Sequence, residues 1–280
     1  MRSLIVLIFL TLKPLAGLAG MGDCGPETPC EIGSDELTGG SYHLIYPDGW
    51  DGKTALPVLV FFHGHNSTGA VVFRSGSPNS DFADQGYLIV APNGPRITNR
   101  NTRAWPARPA AEGRRNDVTF VLNVLDDVAA RLPLDPTKIY ASGFSAGGSM
   151  AWMMACYAAE RFDGVASVSG ALRRPGPEGT CPSGPVRLIQ IHGFADAQVP
   201  FEGRGIRDWH QGDLFQSFDL LRATNKCRSN PDKIEIGEAF RCREWSDSCA
   251  AGAAKMCIHD GGHGLPRGWT ALAREFLEGG

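Results

Sequence analysis

The stretch Lys138-Ile139-Tyr140-Ala141-Ser142-Gly143-Phe144-Ser145-Ala146-Gly147-Gly148 decides how the rest of the chain is read. Lys138–Ser142 is a short run with the side chains of a buried strand. Ala146–Glu160, rich in alanine and methionine, reads as a helix. Only Gly143-Phe144-Ser145-Ala146-Gly147 is left to turn one into the other. So tight a turn forces its central residue into a strained backbone conformation, and small residues two places before and after (Gly143, Gly147) let strand and helix approach. The Ser145 hydroxyl is then lifted above the sheet, with the positive end of a helix beneath it. The competing reading is an ordinary glycine–serine turn, and the neighbouring elements have to decide between the two.

Outward from this turn, strand and helix signals alternate. Ser41–Tyr46, Pro57–Phe62, Tyr87–Ala91, Gly164–Ser169, Val186–His192 and Lys255–His259 read as further strands, each of eight residues or fewer. Asn116–Leu132 has apolar residues at helical spacing, a cap at Asn116 or Asp117, and a break at Pro133–Pro136. Asp213–Thr224 and Arg267–Leu277 are the remaining helices. This alternation implies an α/β fold, a mostly parallel sheet with helices on both faces. Pro92–Arg115 shows no period and reads as a loop over the carboxyl edge of the sheet, where ligands bind in such folds.

A serine hydroxyl is a weak nucleophile unless a base takes its proton. When a strand–turn–helix serine is the nucleophile, the α/β-hydrolase fold supplies a carboxylate and then a histidine, in that order, downstream. Here Val186–Ile191 runs directly into His192-Gly193-Phe194-Ala195-Asp196, and the last strand is followed by Gly261-Gly262-His263-Gly264. Ser145, Asp196 and His263 are therefore the expected catalytic triad. The expected oxyanion donors are the backbone N–H of Ala146 and that of His65, in the loop after Pro57–Phe62. His63 reads as shaping that loop, His192 as structural, and His259 as facing the core or an edge. His43 and His210 have no motif around them. Asp163 precedes its strand, at the wrong end, and Asp260 is too near His263 to orient it. Trp105 and Trp209 are candidate pocket residues, with core packing as the alternative for each. Gly143–Gly148 lacks the lysine of a phosphate loop, and no pattern suggests a metal, nucleotide or flavin, so no cofactor is expected.

Arg2, the apolar run Leu4–Leu12 and the small residues Ala16, Gly17, Ala19 and Gly20 read as a signal peptide over residues 1–19, with residues 20–280 as one catalytic domain. The run is too short to span a bilayer, so no membrane anchor is expected. Loss of Arg2 and Lys13 would move the formal charge from −3 to −5, a balance that does not suit nucleic acid or an anionic membrane. Behind such a segment, the eight cysteines (Cys24, Cys30, Cys156, Cys181, Cys227, Cys242, Cys249 and Cys257) read as disulfides. No pair has Cys-x-x-Cys spacing, which disfavours zinc. The expected location is extracellular or periplasmic.

Taken together, His63-Gly64, Gly143–Gly148, His192–Asp196 with Val199-Pro200, and Gly261-Gly262-His263 resemble the polyhydroxybutyrate depolymerase and feruloyl esterase family of secreted esterases, from about Gly40 to the C-terminus. Many relatives have Trp-Pro just after the histidine, where this chain has Gly264-Leu265-Pro266. The resemblance implies ester hydrolysis through an acyl-enzyme. The first expectation is a depolymerase-like esterase on short polyhydroxyalkanoate chains; with no added polymer-binding module expected, soluble oligomers and small esters would be preferred to crystalline polymer. The alternative is a feruloyl or acetyl esterase on plant cell-wall esters, and a non-catalytic binding protein on the same fold is a third class. Eight cysteines allow about 105 connectivities; sequence order together with the resemblance implies Cys24–Cys30, Cys156–Cys181, Cys227–Cys249 and Cys242–Cys257.

Overall fold

In the computed structural model, residues 24–35, 37–73, 80–97, 102–109, 113–206 and 209–279 are described. The expected signal segment, 1–19, lies outside them. The strands are β1 (Cys30–Ile32), β2 (Gly40–Ile45), β3 (Leu56–Phe62), β4 (Leu88–Pro92), β5 (Leu134–Phe144), β6 (Gly164–Val168), β7 (Arg187–Gly193), β8 (Gly205–Ile206), β9 (Trp209–His210), β10 (Lys233–Ile236), β11 (Arg241–Trp245) and β12 (Ala253–His259). The helices are α1 (Ser80–Asp84), α2 (Asp117–Arg131), α3 (Ala146–Tyr157), α4 (Leu214–Thr224) and α5 (Trp269–Leu277). Ten strands form one sheet in the order β1-β2-β4-β3-β5-β6-β7-β12-β11-β10, and β8 and β9 make a small separate ribbon.

The six central strands, from β4 to β12, are parallel, and the outer pairs on both sides are antiparallel. Period-two alternation sends side chains to two cores. On β3, Val58, Val60 and Phe62 face the core that holds α2, α3 and α4, while Leu59 and Phe61 face Trp269 and Phe276 of α5. Helix α2 is capped by Asn116, whose side chain accepts from the N–H groups of Val118 and Thr119, and buries Phe120, Val121, Val124, Leu125 and Val128 along one stripe. Helix α3 is apolar all round and buried from Ala146 to Cys156, as a helix in the middle of a domain must be.

Besides the short β1, α1 and the β8–β9 ribbon, which the sequence reading did not give, two features depart from it. The strand leading to Ser145 has eleven residues, not eight or fewer, and begins at Leu134, within the segment read only as a helix breaker. Leu134 pairs with Leu56, and the register shifts before Val58 and Ile139. Pro136, inside the strand, is thus accommodated at its irregularity. The second is the β10–β11 hairpin, absent from the sequence reading. Buried Lys255 of β12 holds it by ion pairs to Glu235 (2.7 Å) and Glu244 (3.0 Å).

Cysteines are joined as Cys24–Cys30, Cys156–Cys181, Cys227–Cys249 and Cys242–Cys257, with none left free. The last bridges directly opposed residues of β11 and β12. Among the described residues no helix is long and apolar enough to cross a membrane.

Candidate active site

Ser145 joins β5 to α3 with φ 60° and ψ −119°, a conformation that residues with a side chain seldom adopt. The packing leaves no alternative. A Cβ on Gly143 would lie 2.3 Å from the Gly147 carbonyl oxygen, and one on Gly147 would lie 1.9 Å from that of Phe62. The Ser145 N–H donates to the Val168 carbonyl of the next strand (2.9 Å), tying the turn to β6. Ala146 opens α3, where an N–H has no carbonyl of its own helix to bond.

Parallel pairing of β7 with β12 sets Gly193 opposite His259, so the loops that follow them start side by side. Phe194 N–H donates to the His259 carbonyl (2.7 Å) and Ala195 N–H to that of Gly261 (3.0 Å), extending the pairing past the strand ends. This brings Asp196 and His263 together. His263 Nδ1 is 2.8 Å from Asp196 Oδ2, and His263 Nε2 is 2.9 Å from Ser145 Oγ. The Phe144 ring packs on the imidazole at 4.9 Å. Asp196 Oδ1 accepts from the N–H groups of Gln198 (2.9 Å) and Val199 (2.8 Å). Burial opposes charge on Asp196, but the Val199 N–H and His263 outweigh it and hold the carboxyl below its ordinary value.

A buried polar chain supports this loop. Trp152 Nε1 donates to Gln190 Oε1 (2.8 Å), Gln190 Nε2 donates to His192 Nδ1 (3.0 Å), and His192 Nε2 donates to the Val199 carbonyl (2.8 Å). Burial pushes the His192 pKa down, which keeps the ring neutral and suits that tautomer. Trp152 and Gln190 were not picked out from the sequence, since their role depends on which strand neighbours the helix. His63, buried, accepts from Gly94 N–H at Nε2 (3.1 Å) and faces the Gly64 carbonyl at Nδ1 (2.8 Å), with its pKa pushed down by burial to about 4. It fixes the loop that carries His65. His259 accepts from Gly261 N–H (3.1 Å) and shapes the turn before His263. His43 is buried against the Pro26 carbonyl (3.0 Å). Asp163 bonds Ile139 N–H at the opposite edge of the sheet, and Asp260 pairs outward with Arg241.

Ser145 opens into a cleft of about 710 Å³, within the range of small-molecule sites, lined also by Ala146, His65, Trp105 and Trp209. Trp105 is 1% exposed and packs edge-on against Phe62 (5.3 Å), so it serves core and cleft at once. Trp209 is half-buried beneath Arg173, whose guanidinium carbon lies 4.5 Å from the ring centroid. Six arginines line the same cleft: Arg96, Arg108, Arg114, Arg115, Arg173 and Arg204; no aspartate or glutamate is among the described lining residues. A signal for this was in the sequence, because Pro92–Arg115 holds six arginines and one acidic residue, Glu112. Among the described residues no group of three His, Cys, Asp or Glu side chains is arranged to hold a metal ion.

The fold, with its serine turn between β5 and α3, is that of the α/β-hydrolases. Acetyl xylan esterase from Aspergillus awamori superposes with a TM-score of 0.64 over 89% of this chain and 98% of its own, at 15% identity. The family model described as putative esterase matches residues 36–226, and the chain belongs to that family. It is 28% identical to a probable feruloyl esterase C of Aspergillus niger, over 95% of this chain and 93% of the relative. It is 30% identical to feruloyl esterase C of Emericella nidulans, over 71% and 70% of the two chains. The protein is a carboxylic ester hydrolase.

Proposed function

We propose that this chain is a secreted serine esterase that cleaves feruloyl or acetyl esters of plant cell-wall type through an acyl-enzyme on Ser145. The observation that carries this is the relay of Ser145, His263 and Asp196 at 2.9 and 2.8 Å. Ser145 Oγ attacks the ester carbonyl as its proton passes to His263 Nε2. Asp196 holds Nδ1–H and stabilises the imidazolium. The N–H groups of Ala146 and His65 face the oxyanion. The alkoxide leaves with the proton from His263; a water then loses its proton to His263 and attacks the acyl carbon, releasing the acid and restoring Ser145.

The names of the relatives favour the cell-wall reading over the hydroxybutyrate oligomers that the motifs alone put first, since those described above are feruloyl and acetyl xylan esterases. Four disulfides support an oxidising compartment, with residues 1–19 as the export signal and 20–280 as the catalytic domain. Hydrolysis of methyl ferulate, p-nitrophenyl acetate and 3-hydroxybutyrate oligomers by wild type and Ser145→Ala tests the proposal. Methyl ferulate or the acetate should be cleaved, and Ser145→Ala should lower kcat by at least about 10⁴-fold with an unchanged circular dichroism spectrum. Near-wild-type turnover by Ser145→Ala would remove the nucleophile assignment; cleavage of the hydroxybutyrate oligomers alone would return the substrate reading to its first form.

A further inference from the structure

Arg173 lies in the loop after β6 and is 8% exposed. One of its terminal nitrogens, Nη1, donates to the carbonyls of Trp105 and Pro106, and its plane covers Trp209. Its buried Nε has no hydrogen-bond partner, and among the described residues no carboxylate pairs with it. The charge that acts on it has the wrong sign: Arg108, whose guanidinium carbon lies 6.0 Å from the centroid of the same Trp209 ring, repels it. Burial together with Arg108 pulls the Arg173 pKa down to about 10, so at neutral pH the group remains a cation held in a poorly solvated place.

A buried charge is normally compensated by a partner, because taking it out of water costs free energy that carbonyl dipoles only partly return. Arg115, in the same cleft, shows the usual arrangement, with Asp117 at 2.8 Å. Arg173 differs from it in lacking the acid, and Arg96, Arg108, Arg114 and Arg204 likewise have no ion pair among the described residues. Five unpaired guanidinium groups thus share a cleft with Ser145 and no described acidic residue. A guanidinium in this setting binds a carboxylate through parallel N–H donors.

We propose that the substrate itself carries the missing anion: the cleft takes esters bearing a free carboxylate, and Arg173, with Arg108 beside it, is the specificity determinant that receives it. This rests on the ester-hydrolase reading of the same site and adds to it a preference for anionic substrates over neutral ones. The carboxylate could belong to the acyl or to the alcohol side of the scissile bond, and the two sources are separable by experiment.

Two matched pairs differ by one charge. On the acyl side they are mono-4-nitrophenyl adipate and its methyl diester; on the alcohol side, 4-acetoxybenzoate and 4-acetoxybenzamide. The charged member of one pair should have kcat/KM at least about tenfold higher, a ratio that shrinks as salt rises from about 20 to 500 mM. Arg173→Gln should lower that ratio severalfold. Because Arg173 also holds two backbone carbonyls, Arg108→Gln, which gives up no hydrogen bond among the described residues, serves as the second variant and should lower the ratio in the same direction. Calorimetry of the Ser145→Ala protein with 4-acetoxybenzoate and its amide reads the same preference without turnover. Equal or better handling of the neutral member in both pairs, or a ratio untouched by both arginine variants, would overturn the proposal. Tight binding of the carboxylate to Ser145→Ala with no cleavage by wild type would support the anion site while counting against the hydrolytic reading alone.

Discussion

In Asp196→Asn an amide takes the place of a carboxylate whose two oxygens are both in use. Oδ1 accepts from Gln198 and Val199 N–H groups, and Oδ2 from His263 Nδ1. The amide has one oxygen, so it must choose. With its oxygen toward His263, the amide NH₂ would face two backbone N–H groups and leave both unbonded in a buried loop, at about 1–3 kcal/mol each. With its oxygen toward the backbone, both of those bonds survive and the NH₂ faces His263. The imidazole then answers by moving its proton to Nε2, a change of tautomer that costs little. The second arrangement therefore prevails, and it aims Nε2–H at Ser145 Oγ, which can no longer pass its proton across. The fold should be nearly unaffected, with a loss under about 1.5 kcal/mol. The kcat should fall by about 10³–10⁴, equivalent to roughly 4–5.5 kcal/mol of transition-state stabilisation. Stopped assays with p-nitrophenyl acetate, beside thermal melts, measure both quantities. A variant that keeps more than a tenth of wild-type kcat, or one that loses activity only because it unfolds, would refute this reasoning.

Three other outcomes follow. His43, His63, His192 and His259 are all held below the ordinary histidine pKa of 6.5, burial being the largest cause in each. The unfolded chain therefore takes up protons near pH 6.5 that the folded chain refuses until lower pH, so stability should be full above about 6.5 and decline toward pH 4; a melting temperature that is flat or rising on acidification through that window would contradict it. Gln190→Leu should leave Trp152 Nε1 and His192 Nδ1 without partners and cost about 2–4 kcal/mol in urea titrations, with kcat lowered as the Asp196 loop loosens; an unchanged midpoint would show the chain to be unimportant. Replacing Cys242 and Cys257 by alanine should cost about 2–5 kcal/mol, read as a lower denaturant midpoint, because the bridge ties β11 to β12; a midpoint equal to wild type would rule that out.

What could be read from the sequence divides along physical lines. The parallel strands β3, β4, β6, β7 and β12 are buried on both faces, so their near-continuous apolar runs stand out against the helices between them. The hairpin strands Lys233–Ile236 and Arg241–Trp245 sit at the edge with their charges partly solvated, and Lys233-Ile234-Glu235-Ile236 alternates over too few residues to stand out, with both isoleucines exposed. The serine turn was legible because its steric needs are local, set by Gly143 and Gly147. Asp196 and His263 were legible because each follows a recognisable strand, though their approach depends on β7 and β12 being neighbours, which no local feature states.

The arginines show the limit of arguing from whole-chain charge. A formal charge of −3 excludes a molecule that is basic throughout, yet it says nothing about a cleft whose charges come from one loop together with Arg173 and Arg204. Salt screens exposed charges beyond about 8 Å, so acidic residues on distant faces do little to cancel a potential inside the cleft. Walls of low polarizability confine that potential further and focus it on whatever enters. Five arginines with no ion pair among the described residues can then govern selection at Ser145 while the chain as a whole stays mildly acidic. The count that matters is taken over the residues sharing one concavity. In this chain most of that count was already visible in Pro92–Arg115, a segment that placed itself at the sheet's carboxyl edge by having no period at all.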